Sequence, residues 1–164
     1  MGANTNSMQE LQELLKTKDY IKSNFKLSKT QHLLMSAKIN GVEGNFILDT
    51  GASNTCVDFE FEEFFKLKAQ TSKHKIAGAG AIGMHSKLSE YNIIRIGRWE
   101  GYQMDIVLFD LSHVNEALAF AKLKPVHGII GADVLLEGKA IIDYENRNLY
   151  LKKQDVSKRN LLLF

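Results

Sequence analysis

The chain has 164 residues, 45% apolar and 24% charged, with 21 Lys+Arg against 19 Asp+Glu and a net charge of +2. That balance excludes a disordered chain, and scattered rather than clustered Lys and Arg speak against a nucleic-acid binder. One proline, one cysteine (Cys56) and no apolar run near about 18 residues exclude a disulfide scaffold and a membrane-spanning helix, which leaves one domain with a cytoplasmic setting as the expectation.

No basic, apolar leader opens the chain, and Asn6 breaks the myristoylation pattern. Residues 1–29 are expected to be a helical or loose segment, in which Met8 to Tyr20 predicts a short helix with Met8, Leu11, Leu14 and Leu15 on one face. From Gln31 the period changes to two. Leu33, Met35, Ala37 and Ile39 alternate with more polar neighbours, Asn40-Gly41 signals a tight turn, and Phe46-Ile47-Leu48 reads as a buried strand. This hairpin runs into Asp49-Thr50-Gly51-Ala52.

Asp58 to Leu67 predicts a second short helix, capped by Asp58, acidic early and basic late, with Phe59, Phe61, Phe64 and Phe65 filling the core. Ile93 to Ile96, a turn at Gly97, and Tyr102, Met104, Ile106 and Leu108 in alternation predict another hairpin, with Trp99 and Tyr102 packed on the sheet. Ser112 is placed as the cap of a helix running to Lys124, where Pro125 stops it. Gly128 to Gly131 reads as a short strand, Asp133 to Glu137 as a helical turn or two capped by Asp133, and Ala140–Tyr144 with Asn148–Lys152 as a last hairpin. Many short strands and few helices imply a mostly β domain over residues 30–152, a small barrel or sandwich, followed by a tail at 153–164.

Gly78-Ala79-Gly80-Ala81-Ile82-Gly83 matches the dinucleotide-binding fingerprint letter for letter. Its context does not. Only Met84 to Asn92 separate it from the next expected strand, fewer than the roughly 10–12 residues a crossover with its helix needs. A hairpin tip is the better reading, because glycine lets backbone amides come close to a ligand. No cofactor is expected. The histidines (His32, His74, His85, His113, His127) show no spacing of three or four, so no metal is expected either.

The chemistry concentrates at Asp49-Thr50-Gly51-Ala52. A carboxylate directly after three buried apolar residues is costly unless hydrogen-bonded or shared. A second element, Pro125 to Leu135, supplies an apolar pair before Gly131. Together these segments resemble the retropepsin-like aspartic proteases. The resemblance covers roughly residues 30–152 and implies an all-β barrel of the retropepsin type. By that resemblance Asp49 is the catalytic acid, with Thr50, Gly51 and Ala52 supporting it. Gly78, Ala79, Gly80, Ala81 and Ile82 match the flap that covers substrate, and Ile129, Ile130 and Gly131 match the strand beneath the site. In detail the chain is more similar to bacterial and DNA-damage-inducible-protein-type members than to viral ones. It carries Gly131-Ala132-Asp133 where viral enzymes usually have an arginine after the glycine, and Asp110 to Lys124 adds a helix they lack.

Peptide hydrolysis of this kind needs two carboxylates, one charged and one protonated, with a water between them. Asp-Thr-Gly occurs once and no second Asp-x-Gly exists, so the expectation is a homodimer with Asp49 from each copy on the two-fold axis and a polypeptide as substrate, the tail at 153–164 being either a dimer contact through its apolar Leu161–Phe164 or a disordered end. The competing reading is a non-catalytic peptide-binding or scaffolding module with the same fold. Cys56 is read as a small buried hydrophobe rather than a nucleophile, and His127 as a residue beside the active-site strand that caps a strand end.

Overall fold

A computed structural model describes residues 3–71 and 85–154. The expected hairpin tip at Gly78–Gly83, including Ile82, and residues 155–164 of the expected tail lie outside the described residues. In chain order the elements are α1 (Ala3–Thr17), β1 (Tyr20–Asn24), β2 (Lys26–Leu27), β3 (Leu33–Ile39), β4 (Val42–Leu48), β5 (Cys56–Asp58) and β6 (Ala69–Thr71). They continue with β7 (Lys87–Ile96), β8 (Trp99–Phe109), α2 (Ser112–Phe120), β9 (Gly128–Ile130), α3 (Ala132–Glu137), β10 (Ile141–Asp143) and β11 (Asn148–Lys152).

Six of these strands close on themselves. β3 pairs with β4, β4 with β9, β9 with β5, β5 with β8, β8 with β7, and β7 returns to β3 through Lys38↔Arg95 and Ile39↔Ile94. The result is a barrel, as expected, with β2 and β6 extending its sheet. Alternation along the strands sends Met35, Ala37, Ile39, Phe46, Leu48, Ile94, Ile96, Ile106, Leu108 and Ile130 into one core. Asn40 and Gly41 both have positive φ (49° and 85°), the turn whose twist suits a two-residue hairpin.

Phe46-Ile47-Leu48 is apolar throughout because both faces of β4 are covered. Phe46 and Leu48 point into the barrel, while Ile47 packs outside against Leu118 and Val126. That outer cover is α2, and the pairing of β4 with β9 beneath it is parallel, the arrangement in which unbroken apolar strands occur.

Five local expectations fail. Residues 1–29, expected to be helical or loose, contain α1 and then two strands, and β1 pairs along its whole length with β11. The expected helix at Asp58–Leu67 is a 3₁₀ turn, Phe59–Phe61, followed by irregular turns. A full helix cannot form there because the chain must drop Phe65 into the barrel, and it turns through a left-handed Lys66 (φ 55°) to do so. Phe64 is not core filling but 48% exposed. The helix after Ser112 ends at Phe120 rather than Lys124, five positions before Pro125, with Lys122 left-handed (φ 58°). Leu111 occupies its cap position without a side-chain bond, and Ser112, the first helical residue, instead donates its N–H to the Asp110 carboxylate at 2.8 Å.

A second, three-stranded sheet in the order β1-β11-β10 lies against the barrel. Trp99, buried at the start of β8, donates its indole N–H to the Lys152 carbonyl at 3.0 Å and ties the two sheets together. Among the described residues no helix is long and apolar enough to cross a membrane.

Candidate active site

Asp49 stands at the end of β4, where the parallel ladder to β9 gives out. Its N–H continues that ladder by donating to the Ile130 carbonyl at 3.0 Å. The chain then turns sharply. The Gly51 N–H donates to Asp49 Oδ1 at 2.8 Å, and the Ala52 N–H donates to the Asp49 carbonyl at 3.3 Å. Asp49, Thr50 and Gly51 are all exposed, so the carboxylate faces solvent on this chain rather than sitting among apolar groups.

What fixes the loop lies further along. Thr55 is fully buried, and both of its polar groups end on one carboxylate. Its N–H donates to Asp133 Oδ2 at 2.8 Å and its hydroxyl to Asp133 Oδ1 at 2.7 Å. The same hydroxyl accepts the Gly131 N–H at 3.0 Å, and the Ala132 N–H donates to the Ala52 carbonyl at 2.7 Å. Four bonds therefore fasten the loop 49–55 to the junction of β9 and α3. Asp133 does not cap α3 as expected. Gly131 occupies the cap position without a side-chain bond, and Asp133 lies in the first turn, reaching back to Thr55 and taking the Val134 N–H at 2.8 Å.

Close approach of backbones accounts for the glycines flanking Ile129-Ile130. A Cβ on Gly131 would lie 2.6 Å from the Asn54 carbonyl carbon, and one on Gly128 only 2.1 Å from the Cys56 carbonyl oxygen. No side chain fits in either gap.

A cavity of ≈ 260 Å³ opens beside Asp49, lined by Asn54, Cys56, Val107, Leu111, Val114 and Ile129. Cys56 is buried in its wall, and burial pushes the thiol up to about 12. The neighbouring carboxylates of Asp133, Asp49 and Asp58 push in the same direction, while a backbone hydrogen bond at Ile129 acts against them. A thiol of that kind stays protonated at neutral pH and is a poor nucleophile. Among the described residues no group of three His, Cys, Asp or Glu side chains is placed to hold a metal ion.

His127 is elsewhere. It sits at the start of β9, opposite the end that meets Asp49. Its Nδ1 accepts the Asn45 N–H at 3.0 Å, and its ring lies 4.5 Å from Phe61 and stacks on Phe64 at 5.6 Å.

Thr55 and Asp133 are the residues that sequence reasoning missed as a pair. They lie 78 positions apart, and neither has a local pattern that points to the other. Ile129, Ile130 and Gly131 do run beneath the Asp49 loop.

This arrangement has clear relatives. The family model described as aspartyl protease matches residues 35–134, more than half of the chain. A retropepsin-like aspartic protease from Rickettsia conorii superimposes with a TM-score of 0.54 at 18% identity, over 82% of this chain and 89% of that one. The EIAV protease, solved in complex with the inhibitor HBY-793, gives 0.51 at 16% identity over 72% of this chain and 98% of that one. Among curated proteins none matches. At such identities the solved structures speak for the fold, which is retropepsin-like. The match of the family model over both the Asp49 loop and the β9–α3 junction that holds it places this chain in the aspartyl protease family.

Proposed function

We propose that the protein is a homodimeric aspartic endopeptidase in which Asp49 of one copy and Asp49 of a second form the catalytic pair. The observation that carries this reading is an exposed carboxylate on a loop held rigid by hydrogen bonds, in a chain that supplies Asp-Thr-Gly once. A single carboxylate cannot act as base and acid in the same step, and a second copy provides the other.

In the reaction the charged Asp49 takes a proton from water as the water oxygen bonds to the scissile carbonyl carbon. The protonated mate gives its proton to the carbonyl oxygen. Collapse of the tetrahedral intermediate breaks the C–N bond, and the amine leaves with a proton returned from the pair. Thr50 is assigned to holding the two loops in register, and the Gly51 N–H to supporting the carboxylate. Residues 78–82 are assigned to covering an extended peptide, with Ile129, Ile130 and Gly131 beneath it.

A surface for the second copy adjoins the site. α3 starts at the segment bonded to the Asp49 loop, and its Leu136 is 77% exposed. Among the described residues β10 follows as an edge strand of the three-stranded sheet, with Ile141 and the neighbouring Tyr144 also exposed. Exposed apolar groups along an unpaired edge suit association with an identical edge.

The test is Asp49→Asn together with sizing in solution. The variant keeps shape and removes the titratable oxygen. Hydrolysis of a mixed peptide library should fall at least about a thousandfold, as expected when an essential acid–base pair is lost, with the dimer intact. Undiminished cleavage by Asp49→Asn, or a wild-type monomer whose specific activity does not vary with dilution, would sink the reading.

A further inference from the structure

Away from Asp49, β1, β3, β4 and β7 border a cleft of ≈ 480 Å³. Lys22, Lys38 and Arg95 line it, with Glu43 as the one carboxylate among the lining residues. Their placement is unusual in energetic terms. Lys38 and Arg95 stand directly opposite each other in the β3–β7 register, where like charges repel. Glu43 stands opposite Lys38 in the β3–β4 register, yet its carboxylate takes the Ser36 hydroxyl at 2.6 Å instead. Arg95 leans on Glu100. Lys38 has no ion pair among the described residues, and Lys22 meets the uncharged Gln12 amide oxygen at 3.4 Å.

The walls narrow the choice of ligand. No aromatic side chain lines the cleft, so a nucleobase has nothing to stack on. Ala37 is the one apolar residue there, and its side chain turns into the barrel core, so an acyl chain finds no bed. What the cleft offers is ammonium and guanidinium groups on a polar floor, which suits carboxylates.

We propose that this cleft is an exosite that binds an acidic stretch of the polypeptide substrate. The proposal rests on the endopeptidase reading for the identity of the bound chain. Glu43 lies in β4 and Asp49 directly after its last residue, six positions and therefore about 20 Å further along. An extended substrate covers about 3.3–3.6 Å per residue, so the acidic stretch lies about six or more residues from the bond that is cut. Its role is to raise local occupancy, with no part in the chemistry.

The experiment takes a peptide that the wild-type protein cleaves and extends it through a Gly/Ser spacer with a run of Glu or of Gln. At about 10 mM salt the Glu version should have a KM roughly three- to tenfold lower at equal kcat, as a few exposed charge contacts allow. The gap should close at about 0.5 M salt and in the Lys22→Met/Lys38→Met double variant, which keeps the apolar stems and removes the charges. Equal KM values for the two peptides, or a gap that survives in the double variant, would overturn the exosite. Fluorescence anisotropy with a labelled oligoglutamate, which needs no cleavage, keeps the two readings apart. Binding to wild type but not to the double variant, in a protein that cuts nothing, would uphold the anion site and remove only the endopeptidase. Equal binding to both proteins, or to neither, overturns the site.

Discussion

At one end of β9 the chain presents Asp49 to solvent; at the other it folds His127 among phenylalanines. Both side chains are ionisable, and a strand of three residues separates them. Around Asp49 the contacts are polar and come from far along the chain, through Thr55, Asp133 and Ala132. Around His127 they are rings, and the one polar contact of the imidazole accepts a hydrogen bond from Asn45. His127 is used here as a flat packing piece whose ring is held among phenylalanines by one hydrogen bond. The residue type does not decide the role; the neighbours do. One end is built so that a carboxylate can be held still in water, the other so that the strand start is held in place.

The sharpest way to break this contrast is Gly128→Ala. Its Cβ would fall 2.1 Å from the Cys56 carbonyl oxygen, a backbone atom that cannot step aside, so β9 would leave β5 and both ends would fail together. A loss of about 3 kcal/mol or more is expected, read as a fall in the denaturant midpoint. Next comes Asp133→Ala, which strips the acceptor from the buried Thr55 N–H and hydroxyl. It should cost about 2–3 kcal/mol and lower kcat as the Asp49 loop loosens. Asp133→Asn should cost about 1 kcal/mol less because one acceptor oxygen remains. Equal stability and activity in both variants would show that the loop does not depend on this clamp.

A pH-dependent effect separates the cavity wall from Asp49. The Cys56 thiol is raised from 9.0 to about 12 by burial. Between those pH values the unfolded chain gives up the proton and the folded one keeps it, so folding stability falls as pH rises through that window. The slope is about 1.4 kcal/mol per pH unit, and Cys56→Ala should remove it from an alkaline denaturation series. Smallest of all, His127→Phe keeps the ring packing and loses one acceptor, costing about 1 kcal/mol or less with kcat/KM unchanged. A tenfold loss of kcat/KM in that variant would make the two ends of β9 alike after all.

How much of this was legible depends on where the partners lie. The β3–β4 hairpin could be read because its alternation and its Asn40-Gly41 turn are adjacent in sequence. The Asp49 loop could be read because an apolar strand running into Asp-Thr-Gly is itself local. β1 could not, since its five residues hold one buried side chain, Ile21, and become a strand only by pairing with β11 at the far end of the chain. Asp58 to Leu67 misled for the converse reason. Its caps and charges favour a helix locally, and the demand that Phe65 enter the barrel overrides them. The Thr55–Asp133 clamp shows the same limit at the site, because it exists only after two distant loops have met.

The parallel pairing of β4 with β9 also bears on the order in which the molecule is made. Asn45 and His127 bond across 82 positions, so on the ribosome the β3–β4 hairpin waits for several seconds, at about 5–20 residues per second, before its partner emerges. Loop closure over that distance is slow and leaves an apolar edge uncovered in the meantime. A nascent chain that stops short of Gly128 therefore carries the Asp-Thr-Gly letters without the geometry that gives them meaning. The Asp49 loop cannot take its shape while the chain is still unfinished.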